Sequence, residues 1–237
     1  MRRTEFVYRE LLFQALEKGG RSFTQRGLAE RLGMPISNVN NAIRPLRRMN
    51  AVRVGPRNFA VVNAKKVLFY WASNRNLEKD IVYSTRAEGG AIEIEKGMPA
   101  DAVFAGYSAY RHRFGEAPAD YSEVYVYASD LEEMRKRFPE RKGPRNLFVL
   151  EKDALIERYG KTGTVGQVFV DLWNLSEWYA RDFLRELEAK IDAMLEREGE
   201  AGGAGGGNRA SQSGRSQVRA EHAKGKRRHK RCLTGMS

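Results

Sequence analysis

Over residues 5–18 the apolar side chains Phe6, Leu11, Leu12, Ala15 and Leu16 recur at helical spacing, which predicts an amphipathic helix that Gly19-Gly20 stops. Thr24 has the character of an N-cap. Residues 25–32 then predict a short second helix with Leu28, Ala29 and Leu32 inward, ended by Gly33. A third helix is predicted over 35–49, because Pro35 suits a first helical position and Val39, Ala42, Ile43 and Leu46 form one inward stripe. Pro45 removes the backbone bond to Asn41, so a local kink or shortening is expected there. Val52-Arg53-Val54 and Phe59-Ala60-Val61-Val62 flank the turn-forming Gly55-Pro56-Arg57-Asn58, which predicts a hairpin.

The third helix turns Ser37, Asn40, Asn41, Arg44 and Arg48 outward, flanked by Asn38 and Arg47. Asn pairs bidentately with adenine and Arg with guanine, while Ser and further Arg suit phosphate oxygens, so this face fits a major groove. Arg53, Arg57 and Asn58 on the hairpin add backbone or minor-groove contacts, and Thr24 and Gln25 at the start of the second helix are counted with them. The order helix, helix, tight turn, helix, hairpin resembles the winged helix-turn-helix family over about a quarter of the chain, through the run Phe23-Thr24-Gln25-Arg26-Gly27-Leu28-Ala29-Glu30-Arg31-Leu32-Gly33-Met34 and the elements after it. The resemblance implies double-stranded DNA as the partner. Such domains also serve as protein or RNA modules with an idle third helix, and the charge of the segment argues against that use.

Downstream, the pattern predicts a helix over 64–75, a strand over 81–85, and a helix over 100–114 carrying Val103, Phe104, Tyr107 and Tyr110. Strands follow at 123–128, 147–150 and 165–172, with a helix capped by Ser129 or Asp130 running to Phe138. Ser176 is expected to open a final helix with Ala180, Leu184, Leu187, Ile191 and Met194 on one stripe, a core face in preference to a homodimer seam. The expected fold class is therefore α+β: a winged helix-turn-helix over 1–63, a mixed α/β domain over 64–198, and a flexible Gly-rich basic tail over 199–237.

Charge sharpens that division. Residues 1–63 hold 12 basic and 4 acidic side chains, 64–198 hold 21 and 24, and 199–237 hold 9 and 2. The net +12 thus sits at the two ends, which favours a polyanion partner. The single cysteine, Cys232, excludes an intramolecular disulfide framework and any multi-cysteine metal site, and it points to a reducing, cytoplasmic compartment. The apolar run at 67–72 is six residues long, far short of the ~20 that cross a bilayer. Met1-Arg2-Arg3-Thr4-Glu5 has no apolar stretch behind it, so neither membrane nor secretion is expected.

Motifs for catalysis are weak. Gly160-Lys161-Thr162 lacks the glycine a phosphate loop needs at position 155, which is Leu155. Gly202 to Gly207 follow no strand, His112 stands alone, and His222, His229 and Cys232 lack zinc spacing. The stretch 103–110 followed by the strand at 123–127 looks like the minimal core of nucleotidyltransferases, whose active members hold divalent metal on paired carboxylates. Here Glu123 is alone on its strand unless Asp171 joins it, so no catalytic residue, metal ligand or cofactor is assigned. Together with the N-terminal pattern, Gly106-Tyr107-Ser108-Ala109-Tyr110 and Val168-Phe169-Val170-Asp171-Leu172-Trp173-Asn174-Leu175 resemble AbiEi-type antitoxins. That resemblance implies a repressor of its own operon with a cognate toxin as partner. The leading expectation is a sequence-specific DNA-binding regulator. A nucleic-acid-directed metal-dependent enzyme and a non-specific DNA-binding accessory factor are the alternatives.

Overall fold

In a computed structural model, which describes residues 1–203, the chain begins with α1 (Arg3–Glu17), whose Val7, Leu11, Leu12 and Ala15 are buried. There follow β1 (Ser22–Phe23), α2 (Gln25–Leu32), α3 (Ile36–Arg48), β2 (Val52–Val54) and β3 (Phe59–Val61). The three strands form an antiparallel sheet in the order β1-β3-β2, with Ser22 opposite Ala60 and Val54 opposite Phe59.

The second part comprises α4 (Ala64–Asn74), β4 (Ile81–Thr85), α5 (Ala91–Lys96), β5 (Val103–Ala105), α6 (Gly106–Phe114), β6 (Val124–Ala128), α7 (Leu131–Arg137), β7 (Leu147–Glu151), α8 (Val165–Trp173) and α9 (Ala180–Gly203). Its sheet runs β4-β7-β6-β5, antiparallel except for the parallel pair β6/β7. Alternation along β6 serves two layers. Tyr125 and Tyr127 join the large core with α1, α4, α8 and α9, while Val124, Val126 and Ala128 pack with Ile94 and Met134 of α5 and α7. The large core is continuous from Val7 to Ile191, so α1 supports α3 on one side and packs against α4, α8 and α9 on the other. The fold is mixed α+β, and no helix among the described residues is long and apolar enough to cross a membrane.

Three elements differ from the sequence expectation. Residues 165–172 are helix, not strand: Thr164 Oγ1 accepts the Gln167 N–H at 3.1 Å as an N-cap, and every residue from Val165 to Leu172 is buried. The polar pair of this helix, Gln167 and Asp171, is itself turned inward, so no solvent face marks the helix, and the β-branched and aromatic stretch Val168-Phe169-Val170 between them reads like a buried strand. Residues 100–114 are not one helix, because Val103–Ala105 pairs with β6 and α6 starts only at Gly106, where φ is +49°. The last helix starts at Ala180 rather than Ser176. Its stripe faces the core through Ala180, Leu187 and Ile191, joined by Phe183, with Leu184 and Met194 half-buried. The expected tail, with His222, His229, Cys232 and the basic run at 224–231, lies outside the described residues from 204 onward.

Candidate nucleic-acid interface

The turn between α2 and α3 is built locally. Thr24 Oγ1 accepts the Gly27 N–H at 3.0 Å and starts α2. Gly33 ends it in the left-handed region at φ +61°, a conformation that favours glycine, and Met34 N donates back to Ala29 O at 3.0 Å. Helix α3 then buries Val39, Ala42, Ile43 and Leu46 against α1 and α2. Pro45 stays inside the helix: the carbonyl it leaves without a helical partner belongs to Asn41, on the solvent side. At the far end Lys66 Nζ donates to Met49 O at 2.9 Å, placing a cation where the helix carbonyls concentrate negative charge.

With the inward face fixed, Ser37, Asn40, Asn41, Arg44, Arg47 and Arg48 are all exposed, and Asn38 is half-buried. Arg53 and Arg57 are exposed on the hairpin. Among the described residues none of the five guanidinium groups on α3 and the hairpin is paired with a carboxylate, whereas Arg26 is held by Glu30 at 3.0 Å. Thr24 and Asn58 have structural work as well: Thr24 caps α2, and Asn58 Nδ2 donates to Ser22 Oγ at 3.1 Å, tying the hairpin turn to β1. Gln25 is half-buried and joins two adjoining clefts. One, of about 300 Å³, lies between the start of α2, Ile36 and the hairpin turn. The other, of about 370 Å³, is lined by Asn40, Asn41, Arg44 and Arg47 with Val54 across it.

The sequence reading missed Ile36 and Val54, which stand 46 % and 40 % exposed at these clefts. Ile36 lies three residues before Val39, so periodicity alone would fold it inward. It escapes because it occupies the first turn of α3, where the helix has only begun to pack.

Two carboxylates of the second part, Glu95 and Asp171, are buried. Asp171, on α8 and not on a strand, is fully buried and accepts from Tyr127 OH at 2.8 Å and from Gln167 Nε2 at 2.8 Å. Arg75 lies 3.7 Å from it and also bonds Glu5 at 3.1 Å and Asp80 at 2.6 Å; Glu5 in turn accepts from Trp71 Nε1 at 3.0 Å. Burial drives the Asp171 carboxyl up to about 6, outweighing the opposing pull of Arg75, Tyr127 and Gln167. Glu123 sits just before β6, with Ser122 as its partner. This arrangement ties Asp171 into a buried hub between α1, α4 and α8. Gly160-Lys161-Thr162 forms the connector after a 3₁₀ turn (Ile156–Tyr159), with Phe104 N donating to Lys161 O at 2.9 Å. His112 stacks on Phe104 at 4.2 Å and meets the buried Glu95. No group of three or more His, Cys, Asp or Glu side chains among the described residues could hold a metal ion.

No family model, curated protein or solved structure matches the chain.

Proposed function

We propose that the chain is a sequence-specific DNA-binding regulator in which residues 1–63 act as a winged helix-turn-helix. The observation that carries the reading is the outward face of α3: six hydroxyl, amide and guanidinium side chains, exposed and beside a hairpin bearing two more free cations. Thirteen helical residues span about 20 Å, so α3 is long enough to cross a major groove roughly 12 Å wide. In this reading Asn40, Asn41 and Arg44 take base edges, and Ser37, Arg47 and Arg48 take bases or flanking phosphates. Arg53 and Arg57 hold the backbone beside the groove, and Ile36 and Val54 offer apolar contact to thymine methyl groups.

The narrower reading is the autorepressing antitoxin of a toxin pair. It adds a specific operator upstream of the chain's own gene and a toxin encoded beside it. Selection from a random duplex pool, followed by titration of the winning sequence and a scrambled one, tests both readings at once. A regulator prefers its site by about 10³-fold or more, and an accessory factor shows no such ratio.

A further inference from the structure

The edge of the second sheet carries a separate inference. Strand β4 is outermost: β7 takes one side and, among the described residues, no strand takes the other. At the opposite edge, Phe104 of β5 is met by a parallel bridge from Thr162. Natural open edges are often blunted by charge or proline on the strand itself; β4 reads Ile-Val-Tyr-Ser-Thr with neither, its one irregularity being a register shift against β7 between Ile81 and Tyr83 that leaves Val82 41 % exposed. A groove of about 420 Å³ follows it, bounded by residues 81–84 on one side and by Arg135, Glu140 and Arg145 on the other. Arg145 Nη1 donates to Ser84 Oγ at 2.8 Å, and the Arg135 guanidinium lies 5.4 Å over the Tyr83 ring. Each arginine is thus positioned by a neutral neighbour and keeps further donors for an incoming anion. Residues 135–145 hold six cations against one carboxylate in a part of the chain that is otherwise net acidic, and of the six Arg137 and Arg141 are paired with Glu133 and Glu88.

We propose that this edge receives an extended, acidic segment of a partner protein as an added strand. The partner's main chain pairs with the open backbone groups of β4, and its carboxylates meet Arg135 and Arg145. Charge selects this occupant. A second copy of β4 would set both arginines against their own kind, and residues 199–237, at 9 basic to 2 acidic, are repelled in the same way. A nucleic-acid backbone matches the cations but has no alternating N–H and C=O row to fill a strand edge.

The test is selection of a phage-displayed random decapeptide library on the full chain, then titration of the best synthetic peptide. Acidic peptides rich in β-branched residues are expected, binding about tenfold or more weaker to Arg135→Glu/Arg145→Glu and to Val82→Arg, all exposed positions that leave the fold intact. Amide exchange should slow along β4 when the peptide binds. Neutral or basic winners, winners indifferent to both variants, or protection elsewhere would overturn the proposal. So would a random-sequence DNA duplex that loses as much affinity as the peptide in the double variant.

Discussion

Arg9 and Asp153 meet through two parallel bonds of 2.7 Å, with the guanidinium fully buried and stacked near the rings of Tyr159 and Phe6. The pair joins α1 to the segment after β7. Around it Tyr159 OH donates to Glu10 at 2.8 Å, Arg31 bonds the same carboxylate at 2.9 Å, and Arg158 Nη1 donates to Arg31 O at the end of α2 at 2.8 Å. Ionic contacts as well as shared core therefore fix how the unit bearing α3 sits on the second unit.

Asp153→Ala should cost about 3–5 kcal/mol in urea denaturation, because it strands a buried charge, while Arg9→Met with Asp153→Leu should recover most of that loss. Burial pushes the Asp153 carboxyl up, but the Arg9 bond and charge outweigh it, and the net shift is downward. The pair's contribution is then present above the ordinary carboxylate range and is lost as pH falls through the folded value. Acid sensitivity from this source should vanish in the double variant.

Asp171 has the opposite sign. Its folded value of about 6 exceeds the ordinary 3.8, so the native state binds the proton more tightly and this group's contribution to stability falls as pH rises from 3.8 to about 6, then levels. Asp171→Asn, which keeps an acceptor for Tyr127, should remove that slope. Denaturation midpoints at a series of pH values, compared between the two proteins, would show it; identical slopes would contradict it.

At Gly166 α8 packs tightly on α1: a Cβ there would lie 3.0 Å from Leu12 Cβ. Gly166→Ala should therefore destabilise by about 1–3 kcal/mol, read from thermal or urea unfolding.

On the hairpin, Arg53→Ala and Arg57→Ala should weaken all duplex sequences alike and lower the slope of log affinity against log salt by about 0.9 each. Fluorescence anisotropy across a salt series measures this, and a change confined to one base position would instead make the residue a base reader.

The N-terminal unit was legible because its signals are local. A capping threonine, a left-handed glycine and an inward stripe at steps of 3, 1 and 3 over Val39, Ala42, Ile43 and Leu46 each act within one turn. Legibility failed where long-range packing decides. Residues 165–172 of α8 are buried with their polar pair Gln167 and Asp171 facing inward, so no solvent-facing stripe marks the helix, and Val103–Ala105 becomes strand only because β6 is there to pair with it. Glu5, Arg9 and Arg75 belong to residue types that usually face solvent, and nothing in their sequence neighbourhoods announces partners 70 or 144 positions away. Of the proposed contact residues, Ser37, Asn40, Asn41, Arg44, Arg47, Arg48, Arg53 and Arg57 lie exposed on α3 or the hairpin, whereas Ile36 and Val54 emerge only from the three-dimensional cleft.

The most direct measurement is titration of the selected duplex with the full chain and with Arg44→Ala/Arg48→Ala, alongside a scrambled duplex. The variant should lose about 2–6 kcal/mol of affinity for the selected site and most of its preference over the scrambled one, with unchanged unfolding behaviour. Wild-type affinity and preference in that variant would show that α3 does not read DNA.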